Sequence, residues 1–171
     1  MIKTIYIAFA AALLLSACGG SGSNKNSAAP TAQAASPTIA IGKPAKADGL
    51  EFTVTKVRTP PYIEYGPKAN KGEVFVIVNY MLKNTSGKPL PLLSRPAITL
   101  VDAAGQSYNT DDFLTASSGV DIAGQASFLA DINPGITVEG RAAWKLSADA
   151  FDKATWKLVL ASDPQLTFAL K

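Results

Sequence analysis

Acidic side chains are the residues in this sequence with the widest choice of chemistry. The 171-residue chain has 13 Asp and Glu residues and no His. Two carboxylates held at a set separation suffice for glycoside hydrolysis, and the candidates for such a pair are Glu64, Glu73, Asp111 and Asp112. Loop carboxylates can also bind Ca²⁺, and the candidates for that site are Asp111, Asp112, Asp121 and Asp131. No spacing pairs the first set, and the second matches no calcium-loop motif. We therefore interpret these residues as solvated loop acids and expect no metal and no cofactor.

The other reactive groups are equally restricted. Because the chain has no His, the sequence excludes Ser-His-Asp and Cys-His catalysis and the usual zinc sites. No Ser is followed three residues later by Lys, so the Ser-x-x-Lys site of penicillin-binding proteins is absent. We therefore predict that the protein is not an enzyme.

The single thiol, Cys18, lies at the end of a targeting segment. Residues 1–17 carry one charge, at Lys3, and their apolar run from Ile5 to Leu15 is shorter than the roughly 20 residues that span a bilayer. The motif Leu15-Ser16-Ala17-Cys18 resembles the bacterial lipobox, in which the Cys is acylated. We predict a lipoprotein signal peptide over residues 1–17 and a lipid anchor on Cys18, since two or three acyl chains hold a protein on a membrane durably.

The next segment is a predicted tether. Residues 19–37 consist of Gly, Ser, Asn, Ala, Thr, Gln and Pro with one Lys, and this composition cannot bury a core. A flexible chain of that length reaches roughly 25 Å. We therefore expect residues 18–37 to be a lipidated tether and residues 38–171 to form one domain. The domain is expected outside the cytoplasm, at the outer membrane if the organism is Gram-negative, because Gly19 rather than Asp follows the Cys.

Glu73 to Thr85 is the clearest structural element. Its residues alternate between two sets, Val74, Val76, Val78, Tyr80 and Leu82 on one side and Phe75, Ile77, Asn79, Met81 and Lys83 on the other. A period of two is typical of a β-strand. The pattern predicts a long central strand with one face in the core and the other only partly exposed to solvent.

Similar alternation elsewhere predicts the fold. It recurs over Leu50 to Val54, Thr137 to Leu146, Thr155 to Leu160 and Gln165 to Leu170. The register slips at Lys56 and Val57, which indicates a β-bulge. Trp144 and Trp156 follow the alternation, so we interpret them as core residues rather than sugar-stacking platforms. About eight strands joined by turns indicate an all-β, antiparallel β-sandwich. Asn109 to Pro134 has no clean period and fits either a short helix or an irregular excursion.

The segment Pro60 to Pro67 is the candidate recognition loop, with Tyr62, Ile63, Glu64 and Tyr65 at its centre. The tyrosines offer rigid contact area, and the prolines limit the entropy lost on binding. Loops of this kind commonly carry binding sites. The alternative, which the sequence favours, is that Tyr62, Ile63 and Tyr65 fold back as a lid over the end of the core.

The charge pattern gives no sign of a nucleic-acid partner. The chain has 16 basic and 13 acidic side chains, and loss of residues 1–17 would remove only Lys3. The cations are scattered, with no run and no aromatic-interleaved stripe, so nucleic-acid binding is not expected.

Several landmarks resemble those of a known family. They are Gly49 to Val57, Gly72 to Thr85, Leu100 to Gly105 followed by Tyr108, and Pro134 to Gly140. Together they resemble an uncharacterised family of bacterial lipoproteins, over about Ile41 to Leu170. The resemblance implies an immunoglobulin-like sandwich, similar to a secreted immunoprotective antigen of mycobacteria. It implies no catalytic or ligand-binding residues.

These observations predict a lipid-anchored, extracytoplasmic binding module. The membrane partner is reached through Cys18, and the expected further partner is a protein of the cell envelope. A structural or assembly accessory of an envelope complex remains an alternative, and a carboxylate-based enzyme is the least favoured class.

Overall fold

Two β-sheets pack face to face in the computed structural model, which describes residues 37–119 and 130–171. The strands of these residues are β1 (Thr38–Ile39), β2 (Ala45–Ala47), β3 (Leu50–Arg58), β4 (Glu73–Asn84), β5 (Ile98–Val101), β6 (Ser107–Asn109), β7 (Thr137–Ser147), β8 (Lys157–Leu160) and β9 (Leu166–Ala169). A 3-10 turn spans Leu92–Ser94, and the α-helix α1 spans Asp112–Gly119. The predicted signal peptide, Cys18, the tether up to residue 36 and Asp121 lie outside the described residues.

The strand order confirms a β-sandwich. One sheet has the order β2-β3-β4-β7, and the other has the order β1-β9-β8-β5-β6. Every strand pair within the described part of the chain is antiparallel except β1 with β9, which is parallel. The predicted antiparallel sandwich is thus present, and this two-residue pair is its parallel addition. No hairpin turn joins β1 to β9, so their directions are not fixed by a short connection.

The strand predicted to be central is central. β4 lies between β3 and β7, and its Val76 and Val78 are fully buried in the core between the sheets. The predicted bulge is also present, because the register of β3 against β4 shifts between Val54 and Lys56. The extra residue reverses the alternation, so that Val57 is buried while Lys56 and Arg58 face outward.

Both tryptophans are core residues, as predicted. Trp144 is 1% and Trp156 3% exposed. The Trp144 indole Nε1 donates a hydrogen bond to the Tyr108 carbonyl oxygen at 2.9 Å, and the Tyr108 ring stacks on Trp156 with centroids 4.7 Å apart. The hydrogen bond joins β7 of one sheet to β6 of the other and satisfies the buried indole N–H, and the stacked Trp156 lies directly before β8.

A second, smaller apolar cluster covers the outer face of β4 and β7. It consists of Ile63, Phe75, Ile77, Leu114 and Ala143. Phe75 and Ile77 alternate with the core-facing valines of β4, so they lie on the opposite face of the sheet. The covering side chains come from α1 and from the connection between β3 and β4. This cover explains why both faces of β4 are apolar.

Helix α1 lies in the segment Asn109 to Pro134, for which the sequence fits either a short helix or an irregular excursion. A short helix is the alternative that the structure contains, at Asp112–Gly119. Within the described residues, no helix has the length and hydropathy that a membrane span requires.

Candidate functional site

The candidate recognition loop, Pro60–Pro67, which we term the tyrosine loop, is a small hairpin. Tyr62 and Lys68 form an isolated antiparallel bridge. The Gly66 N–H donates to the Ile63 carbonyl oxygen at 3.0 Å, which closes a β-turn with Glu64 and Tyr65 at its tip. The loop therefore has internal hydrogen bonds that fix its backbone.

The lid interpretation is wrong for the two tyrosines. Ile63 is 5% exposed and packs into the outer cluster, whereas Tyr62 is 56% and Tyr65 60% exposed. Even Ile63 covers the outer face of the β4–β7 sheet and not the end of the core. One aliphatic side chain completes this cover, which leaves the amphipathic tyrosines projecting into water.

Helix α1 forms the facing wall, and its start is set by Asp111. The Asp111 Oδ1 accepts a hydrogen bond from the Leu114 N–H at 2.9 Å, which is the geometry of an N-cap. The helix is fixed to strand β7 at one residue. The Asp111 N–H donates to the Ala143 carbonyl oxygen at 2.8 Å, and the Ala143 N–H donates to Thr115 Oγ1 at 3.0 Å.

The end of α1 is held by a cation. Arg141 of β7 donates from Nη1 to the Ser118 carbonyl oxygen. A positive charge is favourable there because the last carbonyls of a helix carry partial negative charge. The loop reaches the same turn of the helix, since a Cβ on Gly66 would lie 3.1 Å from the Ser117 Cβ.

A groove of about 300 Å³ lies between the tyrosine loop, α1 and the outer face of the sheet. It is lined by Arg58, Pro60, Pro61, Tyr62, Ile63, Glu64, Tyr65, Ile77, Ser117, Ser118 and Arg141. The four residues at the centre of the predicted recognition loop all belong to this lining. Two arginines against one glutamate give these lining residues a net positive formal charge.

The register of strands β3, β4 and β7 places the basic side chains of the groove near one another. Lys56 pairs with Asn79 of β4, which pairs with Arg141 of β7. Arg58 follows two residues after Lys56 and pairs with Ile77 in the adjacent row. Paired residues share a face of the sheet, and positions two residues apart lie about 7 Å apart on that face. Three cations that are scattered in the sequence are thus gathered on one surface.

Arg58 has an unsatisfied donor in this groove. Its Nε is buried and has no hydrogen-bond partner among the described residues. No described carboxylate lies within ion-pair distance of its guanidinium. A buried polar group without a partner is uncommon in folded proteins.

Two of the candidate catalytic carboxylates, Glu73 and Asp111, have local structural roles. Glu73 Oε2 accepts hydrogen bonds from the N–H and the Nδ2 of Asn70, at 3.0 and 2.9 Å, and so stabilises the turn before β4. Asp111 caps α1, Asp112 is exposed in the first turn of that helix, and Glu64 lines the groove. The Glu73 and Asp111 carboxylates therefore stabilise a turn and a helix end.

The candidate calcium ligands are separated in a similar way. Among the described residues, no three acidic, His or Cys side chains come close enough to hold a metal ion. Asp111 and Asp112 lie at the start of α1, and Asp131 is an exposed residue that follows Ala130. Asp121 lies outside the described residues.

The residues that sequence reasoning missed are Arg58, Arg141, Ser117 and Ser118. A partial signal was present, because Arg141 takes an outward position in the alternation of β7 and Arg58 does so after the bulge. No local pattern could predict that β3 and β7 lie on either side of β4, or that α1 lies beside them.

Comparisons with known proteins agree on the fold. The profile of a family described as a domain of unknown function, DUF4352, matches residues 39–164. The uncharacterized protein YxkC of Bacillus subtilis is 36% identical over 132 residues, covering 74% of this chain and 72% of YxkC.

Two solved structures are similar at lower identity. An uncharacterized β-sandwich protein of Clostridium difficile has a TM-score of 0.54 and 16% identity, covering 79% of this chain and 95% of that one. A candidate lipoprotein of B. subtilis, YcdA, has a TM-score of 0.50 and 18% identity, covering 73% of this chain and 37% of that one. At these identities the likeness concerns the fold alone.

The expectation of an uncharacterised β-sandwich family is thereby confirmed. Acylation of Cys18 and similarity to the mycobacterial antigen stay predictions. The family match spans most of the folded domain, and the identity to YxkC extends over a comparable length. The chain belongs to the DUF4352 family.

Proposed function

We propose that this protein is a lipid-anchored, extracytoplasmic binding module, and that it recognises a protein of the cell envelope through the groove beside the tyrosine loop. The observation that carries the proposal is the pairing of a preformed groove of about 300 Å³ with two tyrosines that are more than half exposed. Tyrosine is enriched among the residues that dominate binding energy at protein interfaces.

The rigidity of the loop supports this role. Its turn is closed by the Gly66 to Ile63 hydrogen bond, and the Ala69 N–H donates to the Pro61 carbonyl oxygen at 3.0 Å. Ile63 fixes the loop to the sheet from below. A binding surface that is already ordered loses less conformational entropy when a partner arrives.

The lipobox supports the anchored location. Leu15-Ser16-Ala17-Cys18 has the lipobox spacing, and the structurally similar YcdA is described as a candidate lipoprotein. A non-catalytic role is part of the proposal. It is supported by the local structural roles of Glu73 and Asp111, which stabilise a turn and a helix end.

Site-specific photo-crosslinking in intact cells tests the proposal. A photoreactive phenylalanine analogue is placed at Tyr62 or at Tyr65 of the full-length protein. The matched control carries it at Leu93, a large side chain that is 97% exposed and lies in the 3-10 turn, outside the groove lining. We expect the same envelope protein to be crosslinked from both loop positions and not from Leu93.

A double variant, Tyr62→Ala with Tyr65→Ala, separates recognition from packing. Both side chains are mostly in water, so the melting temperature should change little while partner capture is lost. Crosslinks that are identical from Leu93, or no crosslink from either loop position, would contradict the proposal.

A further inference from the structure

We infer that the groove binds a carboxylate group on its protein partner, and that Arg58 is the residue that holds it. The inference rests on the proposed function and adds the chemical class of the ligand. The ligand is a peptide segment that presents an Asp or Glu side chain, or a C-terminal carboxylate, between the tyrosine loop and strand β3.

The first support is the donor arrangement of Arg58. A guanidinium offers five N–H groups in a planar fork, and a carboxylate accepts two of them side by side. The Nε of Arg58 is buried without a partner among the described residues, while the side chain lines an open groove. Because Nε itself is out of reach of solvent, a carboxylate that enters the groove would bind the guanidinium through its Nη groups.

The second support is the surrounding charge. Arg141 lines the same groove, and Lys56 lies on the same face of the sheet, one row from Arg58. Arg141 already donates to the Ser118 carbonyl oxygen, so we assign the contact with the ligand to Arg58. Glu64, the one acidic side chain of the described lining, is exposed at the tip of the loop. The potential in the groove therefore attracts an anion.

The third support distinguishes a peptide from a small inorganic anion. Pro60, Pro61 and Tyr62 form an apolar wall beside the polar groups of the groove. Ligand sites typically combine such walls with a few polar groups that fix orientation. The side chains next to a peptide carboxylate can cover these apolar and aromatic surfaces, whereas phosphate would leave them uncovered.

The chain has three arginines, Arg58, Arg95 and Arg141, so each Nε–Hε group can be followed by NMR. The experiment uses the full chain, purified in detergent micelles, with the three signals assigned from Arg→Lys variants. The probes are a blocked pentapeptide with Glu at its centre and Ala elsewhere, its Gln counterpart, and inorganic phosphate. We expect the Glu peptide to shift the Arg58 signal saturably, with binding roughly tenfold tighter than that of the Gln peptide.

Two variants test whether the guanidinium is responsible. Arg58→Lys keeps the charge but loses the planar fork, so it should weaken binding of the Glu peptide by roughly tenfold. Lys56→Gln removes a neighbouring charge without changing the fork, and it should weaken binding by about twofold at most, since exposed charges are screened. Thermal unfolding of each variant controls for loss of structure.

Equal affinity for the Glu and Gln peptides, or unchanged affinity in Arg58→Lys, would overturn the inference. Phosphate that binds more tightly than the Glu peptide would overturn the assignment to a peptide carboxylate. If crosslinking from Tyr62 and Tyr65 still captures one partner in either case, the proposed function stands and only the ligand class fails.

Discussion

At the scale of single residues, Asn84 shows what local sequence patterns omit. Its side chain is fully buried, and its Nδ2 donates to the carbonyl oxygens of Lys88 and Ile132, both at 2.7 Å. Its Oδ1 accepts from the Ser86 N–H at 2.9 Å. The sequence predicts the turn that follows β4 because Asn, Ser, Gly and Pro cluster there. The link to Ile132 joins segments that are distant in sequence, so no local pattern contains it.

Asp102 gives a prediction about pH at the same scale. Its Oδ1 accepts hydrogen bonds from the N–H groups of Gln106 and Ala104, both at 2.9 Å, and its Oδ2 accepts from the Tyr108 hydroxyl at 3.1 Å. These bonds, above all that from Gln106, hold the pKa of the carboxyl below its ordinary value. The stabilisation is therefore complete above the unfolded pKa of about 3.9 and is lost as the pH falls through the lower folded pKa.

We expect Asp102→Ala to lower the melting temperature at neutral pH. The gap, which is the difference in melting temperature between the variant and the wild type, should narrow in acid. Circular dichroism melts at a series of pH values measure this gap. Asp149→Ala, in the exposed turn after β7, serves as the control and should show a smaller gap at neutral pH. A gap for Asp102→Ala that is as large at about pH 2.5 as at pH 7 would show that the carboxylate bonds are not its source.

At the scale of elements, periodicity predicted the strands and missed what lies on them. The alternation in β4 and β7 and the bulge in β3 are local properties, so they could be inferred from the residues alone. The apolar cluster on the outer face of β4 and β7 could not be inferred in this way, because Ile63 and Leu114 reach the sheet from an irregular loop and from a short helix. The outward Phe75 and Ile77 were the available signal that something covers this face.

Contact between the tyrosine loop and α1 gives the prediction at this scale. A Cβ on Gly66 would lie 3.1 Å from the side chains of both Ile63 and Ser117. Gly66→Ala should therefore push the loop away from the helix and displace Tyr65. We expect a loss of about 1–2 kcal/mol in the free energy of unfolding, which is typical of overpacking, together with weaker crosslinking from Tyr62.

Gly87→Ala is the matched control, since a Cβ there would meet nothing within 4 Å. Urea denaturation measures stability, and the intact-cell crosslink measures recognition. If Gly66→Ala behaves like Gly87→Ala in both assays, the loop does not depend on its contact with α1.

At the scale of the whole molecule, the groove and the main hydrophobic core lie on opposite faces of the β2-β3-β4-β7 sheet. The groove lies on the outer face of the β2-β3-β4-β7 sheet, whereas β1, the first described strand, lies at the edge of the other sheet. The core between the sheets holds both tryptophans and does not contribute to the groove. Groove substitutions can therefore alter recognition without opening the core.

The last prediction concerns acylation of Cys18. Because the thiol is the group that a lipobox acylates, Cys18→Ala should incorporate no alkyne-labelled fatty acid and should retain residues 1–17, whereas the wild type should be labelled and begin at Cys18. Intact-mass spectrometry and in-gel fluorescence measure both properties, with Ser21→Ala as a control that leaves the motif unchanged. Label on the Cys18→Ala chain would place the acyl group elsewhere. A wild-type chain that begins at another residue would indicate ordinary secretion and remove the basis for a lipid anchor.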